Sequence, residues 1–221
     1  MTRRGRIGLK ACVWAGCLTP LAALGWWAWT AELTANPISF VTNWLGDWTL
    51  RLLLLSLSTT PLRLLSGLSW PVALRRLLGL FAFAYAGLHF TVWLVLDHFF
   101  DWPEMGRDIL KRPYITIGML ALATLVPLAA TSTAGMIRRL GGTAWRRLHR
   151  LAYVAGVAAI LHFLWLAKVG RVEPYYYAAW LTLVLGIRLW AAARRRARRA
   201  RAAAVPSPVI ARVAKVRAPL D

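Results

Sequence analysis

Four histidines, His89, His98, His149 and His162, are the side chains of this sequence best suited to hold a metal-centred group. His89 (YAGLHFTVW) and His162 (LHFLW) each lie well inside a long apolar run. Imidazole is costly to bury in hydrocarbon unless it is paired or binds something. Arg76 marks the basic edge of the first run and Arg147 that of the second, and each histidine follows its arginine by a similar number of residues. At roughly 1.5 Å of rise per residue, both imidazoles lie roughly 20 Å from the basic boundary. Two imidazoles at one depth on two helices can take the two axial positions of one haem. The bland alternative is a pair of hydrogen bonds across helices.

His149 sits roughly 20 Å closer to the basic face than His162, in the same run. It could hold a second cofactor there, but no histidine near Arg75 or Arg76 offers an obvious partner. Thirteen residues at about 100° each put His149 and His162 on nearly opposite faces of an ideal helix. Either the helix is distorted, or His149 precedes its regular part, or the two rings face different crevices. His98, between Asp97 and Asp101, is expected to be a solvated side chain at the outer end of its span.

Those rings need long apolar helices to carry them. The chain of 221 residues is 59% hydrophobic with a mean hydropathy of +0.52, too apolar for a soluble domain of this size. A net charge of +20 would suggest nucleic acid in a soluble protein. Here the positive residues flank apolar runs, so a membrane explains them and no nucleic-acid partner is expected. A span needs roughly 20 mostly apolar residues. Six segments qualify, at about 9–29, 40–62, 77–96, 114–131, 148–167 and 174–192. The second is the least clean, because it carries Asp47 and Arg51. The first is too long for a signal-peptide core and is read as retained. The basic run from Arg194 opens a segment, 194–221, expected to be a flexible tail near anionic lipid headgroups.

Charge sets the orientation. Most Lys and Arg fall on the side of the N-terminus, the Arg63–Arg76 and Arg138–Arg147 loops and the tail. Seven acids, Glu32, Asp47, Asp97, Asp101, Glu104, Asp108 and Glu173, fall on the other. Positive loops stay cytoplasmic. The expected fold class is therefore an all-α integral membrane protein, a six-span helical bundle with haem between helices and both termini cytoplasmic. Arg51 is expected either to snorkel or to pair with a haem propionate. Trp26, Trp27, Trp29, Trp44, Trp48, Trp93, Trp102 and Tyr175–Tyr177 read as an outer interfacial belt. Cys12 and Cys17 lack the spacing of covalent haem attachment and read as small buried side chains.

Several stretches carry a resemblance. They are RRLLGLFAFAYAGLH (75–89), KRPYITIGMLALATLVPLAATS (111–132), RRLGGTAWRRLHRLAY (138–153) and LHFLW (161–165), with TTPLR (59–63). In order and spacing, over roughly residues 10–190, the chain resembles the MsrQ family. Those proteins are haem-bearing membrane subunits of the periplasmic methionine-sulfoxide reductase system, within the wider ferric-reductase-like transmembrane group. The resemblance implies a ferric-reductase-like domain over 1–193. It maps the family's haem ligands onto His89, His149 and His162, holding one or two b-type haems. It implies a heterodimer with a periplasmic molybdopterin methionine-sulfoxide reductase. Electrons would come from the quinone pool or a cytoplasmic flavin reductase and cross the bacterial inner membrane. FMN is implied by resemblance only, and no attachment motif for it is present. Trp102 stands where the related NADPH oxidases carry a further histidine, thirteen positions after His89.

On this reading the chain carries electrons for protein repair, and sulfoxide chemistry belongs to its partner. Two rival readings are a membrane haem reductase with a metal ion or another acceptor, and a cofactor-free transporter or assembly protein. The acidic outer loop DHFFDWPEMGRD is the expected docking segment for the partner.

Overall fold

A computed structural model of the chain describes residues 3–167 and 171–204. Among the described residues it is all helix, with no strand. The elements are α1 (Arg3–Trp29), α2 (Pro37–Ser66), α3 (Trp70–Val92), α4 (Trp102–Lys111), α5 (Pro113–Ala130), α6 (Ala134–Leu148), α7 (Leu151–Leu166) and α8 (Glu173–Ala204). A π-helical segment, Trp93–Asp97, continues α3.

Local chemistry marks the boundaries. Asn36 caps α2, accepting from the Ser39 N–H at 3.1 Å, and Pro37 takes the first turn, where its missing N–H costs nothing. Gly67 closes α2 in the left-handed region, at φ 72°. Thr133 caps α6, whose regularity breaks at Gly141 with φ 71°. Phe99 and Phe100 adopt φ of 46° and 63° in the turn before α4, a strained pair for bulky residues.

Four helices, α1, α3 with its π segment, α5 and α8, are long and apolar enough to cross a membrane. A fifth span results if α6 and α7, bent by 42° at their junction, count as one. The chain is thus a multi-pass membrane protein. The second expected segment falls within α2, which is long enough at 30 residues but carries Asp47 and Arg51 together with many Ser and Thr.

In the first unit of the chain, up to Val184, α2 packs along α3 and α5 along α7, while α3 meets α5 and α2 meets α7. Leu52, Leu53, Phe81, Ala82, Tyr85, Leu125 and Ala155 fill the space between them. Tyr85 is fully buried, and its hydroxyl donates to the Cys17 carbonyl at 2.6 Å, tying α3 to α1. Leu88, Leu120, Val126, Val157 and Leu161 stay exposed, as lipid-facing side chains should. At the basic end, Ser56 donates to the Arg75 carbonyl at 2.9 Å. The Arg75 side chain donates to both threonines of the TTPLR stretch, Thr59 and Thr60.

The second unit, from Leu185, contains the rest of α8. The basic run from Arg194 is helical as far as Ala204, where the sequence suggested a flexible tail. Ala and Arg are strong helix formers, and alternation of the two sustains the helix. Residues 205–221 of that expected tail lie outside the described residues.

Candidate functional site

His89 lies in the last turn of α3, and His162 lies near the end of α7. Their neighbours are the first parts of α2 and α5. The two rings meet, with centroids 6.3 Å apart and planes at 81°. The shared depth expected for these two residues is realised as direct proximity.

Each ring is tied by one nitrogen. His89 Nδ1 lies 2.8 Å from the Thr42 carbonyl oxygen of α2. His162 Nδ1 lies 2.7 Å from the Tyr114 carbonyl oxygen of α5. A carbonyl oxygen only accepts, so Nδ1 carries the proton in both rings and a neutral ring keeps its lone pair on Nε2. That tautomer is the one a metal-binding imidazole needs, with its other nitrogen anchored to a carbonyl.

Both rings also rest on a glycine. A Cβ on Gly46 would lie 3.2 Å from His89 Cε1 and 3.3 Å from Nδ1. A Cβ on Gly118 would lie 2.9 Å from His162 Nδ1.

His149 stands apart from this pair. It falls at the junction between α6 and α7, so it precedes the regular part of the helix that carries His162. Its ring stacks on Trp145, centroids 3.8 Å apart, and its Nδ1 donates to the Trp145 carbonyl at 3.1 Å. Trp145 is itself held by a hydrogen bond from Nε1 to the Thr131 carbonyl at 3.0 Å. His149 therefore shares the tautomer of the other two.

His98 is different, and its expected solvated state is not what the structure has. It is only 9% exposed. Its Nε2 lies 3.2 Å from Asp108 Oδ2, its Nδ1 lies 3.3 Å from the Trp93 carbonyl, and its ring packs on Trp93. Both nitrogens already face protein oxygens, so neither is open to a metal. Asp108 also pairs with Arg112 at 3.2 Å, so this cluster pins α4 to the C-terminal end of α3 and its π segment. Nothing in the local sequence except the ten-residue separation from Asp108 pointed to it.

Arg51 is tied to its neighbours. Its Nε donates to the Tyr177 hydroxyl at 2.9 Å, its guanidinium lies 5.0 Å from the Trp48 ring centre, and Asp47 is 3.8 Å away. The aromatic belt is only partly a belt. Trp26, Trp29, Trp102, Tyr175 and Tyr176 are exposed, whereas Trp27, Phe40, Trp44 and Trp48 pack on one another in a chain of ring contacts.

The His89–His162 pair fits a haem better than a bare ion. A metal held between two opposed rings, at about 2 Å from each nitrogen, would set the ring centres about 6 Å apart, whereas tetrahedral ligation would bring them nearer, to about 5 Å. Among the described residues, no three His, Cys, Asp or Glu side chains gather into a cage. A porphyrin brings four nitrogens of its own and asks the protein only for axial ligands. Thr42, Gly46, Tyr114 and Gly118 escaped the sequence reading, because a main-chain carbonyl leaves no trace in residue type. The repeated four-residue step from each carbonyl to its glycine is the one available signal.

Fold and site define a class, the helical membrane components that pair buried histidines between helices. Accordingly, the family described as ferric reductase like transmembrane component matches residues 45–160, a stretch that holds His89 and His149. A protein of Rhodospirillum rubrum, named protein-methionine-sulfoxide reductase heme-binding subunit MsrQ, is 49% identical over 87% of this chain and 92% of its own length. Relatives of the same name from Herminiimonas arsenicoxydans and Caulobacter vibrioides are 46% and 44% identical, over 86% and 80% of this chain and 88% and 85% of their own lengths. The chain belongs to the MsrQ family.

Proposed function

We propose that this chain is the haem-bearing electron-transfer subunit of a methionine-sulfoxide reductase, as the names of its relatives say of them. It spans the bacterial inner membrane six times with both termini cytoplasmic. His89 and His162 would hold a b-type haem in the outer half of the membrane. The observation that carries this reading is the meeting of two imidazoles from separate helix pairs, each with Nδ1 committed to a carbonyl. His149 serves a second haem, or a site beside a flavin, near the cytoplasmic face. FMN rests on the family resemblance, and no residue here is assigned to it.

The haem, when bound, supplies a one-electron carrier in a medium that excludes ions. The protein's part is to hold the two rings in one tautomer, to bury them, and to keep them at a depth from which a periplasmic partner is within reach. That partner is a molybdopterin methionine-sulfoxide reductase, which repairs oxidised periplasmic proteins. The donor is the quinone pool or a cytoplasmic flavin reductase. The outer surface around α4, with exposed Phe99, Trp102 and Leu110, is the proposed docking face.

The test is a reoxidation experiment. The purified chain is reduced with dithionite under anaerobic conditions, and its visible spectrum is followed after adding the partner reductase with methionine sulfoxide. Reoxidation that needs both additions supports the reading. A reduced b-type haem that ferric citrate reoxidises, but partner and sulfoxide do not, would favour the metal-reductase rival. A colourless protein from haem-replete cells would sink both.

A further inference from the structure

We propose that Gly46 and Gly118 are positioning residues for His89 and His162, each one keeping open the approach by which the ring reaches a carbonyl one helical turn back. The inference rests on the haem reading above.

The two seats are built alike. His89 bonds to the carbonyl of Thr42, four residues before Gly46. His162 bonds to the carbonyl of Tyr114, four residues before Gly118. In an α-helix the carbonyl of residue i−4 points at the N–H of residue i, and the Cβ of residue i tilts back toward the N-terminus. A side chain at position i therefore overhangs that carbonyl. Glycine removes the overhang, so a flat imidazole can lie against the helix and donate to an oxygen that the helix already uses.

The distances support this. A Cβ on Gly118 would be 2.9 Å from His162 Nδ1, the atom that makes the 2.7 Å bond to Tyr114. The ring would have to shift to relieve such a contact, and a shift of Nδ1 strains the bond to its acceptor. The Gly46 seat is looser, with the nearest ring atom at 3.2 Å. By contrast, a Cβ on Gly87, on the same helix as His89, would meet nothing within 4 Å. Glycine weakens a helix relative to alanine. At Gly46 and Gly118 the ring contact gives a reason for carrying it.

Two consequences follow for a bound haem. The Nδ1–H donor bond raises the basicity of the ligating nitrogen and fixes the orientation of the ring. Loss of a seat should therefore weaken haem retention and move the midpoint potential to more positive values, because a poorer ligand favours the ferrous state.

The experiment uses the full-length holoprotein in detergent with Gly118→Ala, Gly46→Ala and Gly87→Ala. Haem per chain, the ferrous spectrum with and without carbon monoxide, and the midpoint potential are measured. Gly118→Ala is expected to retain haem about 10- to 100-fold more weakly, and its remaining haem should bind carbon monoxide at a vacated axial position with a more positive potential. Gly46→Ala should shift in the same direction by less. Gly87→Ala should match the wild type. Seat variants indistinguishable from Gly87→Ala in all three readouts would overturn the proposal while leaving the haem reading intact. If Gly118→Ala does not accumulate as folded protein, Gly46→Ala decides by the same criteria. If the wild type holds no haem, the haem reading fails and the seats are tested by nitrogen NMR of labelled histidine. An Nδ1-protonated tautomer present in the wild type and lost in a seat variant upholds them, and rings without that preference in the wild type overturn them.

Discussion

His89 and His162, on helices whose main packing partners differ, present their imidazoles to each other at 6.3 Å with the ring planes nearly perpendicular. Neither helix pair builds this meeting by itself. The α2–α3 pair supplies His89 and its carbonyl, and the α5–α7 pair supplies His162 and its carbonyl. The site exists because the two halves pack face to face through the core around Phe81, Ala82, Leu125 and Ala155.

His89→Ala and His162→Ala should each abolish or halve the haem bound per chain. The check is a reduced-minus-oxidised spectrum with haem quantified against protein. Both variants keeping full haem would make the pair a plain edge-to-face contact between rings.

His149→Ala distinguishes one site from two. With a second haem on this residue, the variant should lose about half of the wild-type haem, and Trp145→Leu should lose part of it by freeing the ring that Trp145 stacks upon. An unchanged haem content would leave His149 as a junction residue between α6 and α7.

His98→Ala should leave the haem spectrum untouched, since both ring nitrogens are already used. It should nevertheless cost about 1–3 kcal/mol, because Asp108 loses a buried partner. Thermal unfolding in detergent reads the cost, and a loss of haem with no loss of stability would contradict this assignment.

Tyr85→Phe removes the hydroxyl that ties α3 to the Cys17 carbonyl. Hydrogen bonds between membrane helices average about 0.6 kcal/mol and reach about 1.7. A fall in Tm corresponding to about 1 kcal/mol is expected, with unchanged haem content.

Topology reporters give the orientation. A fluorescent protein fused after Asp221 should mature in the cytoplasm, and a phosphatase inserted near Glu104 should be active outside. Activity of a phosphatase at both places would mean that one of the segments between them, α5, the α6–α7 pair or α8, does not cross.

Much of the helical plan is written in the residues themselves. Apolar runs of span length must be satisfied internally in hydrocarbon, so they become helices. The skew of Lys and Arg against Asp and Glu gives the expected orientation, and a constant rise per residue is enough to predict that His89 and His162 share a depth. The basic segment from Arg194 shows the limit of such reasoning. Its charge suggested a flexible tail near anionic lipid headgroups, while the helix propensity of alternating Ala and Arg extends α8 to Ala204.

The site itself was decided by tertiary structure. Depth is a one-dimensional quantity that the chain encodes locally, but which helices are neighbours, and which face each turns, depends on packing between residues distant in sequence. His98 and His162 are the same residue type near the C-terminal ends of long apolar helices. Only folding puts a carboxylate and a carbonyl on the nitrogens of His98, and leaves His162 with one carbonyl, a glycine beneath it and a second imidazole 6.3 Å away. Hydrogen bonds to main-chain carbonyls have no residue code, so the feature that separates a locked structural histidine from a candidate ligand appears only when the helices are brought together.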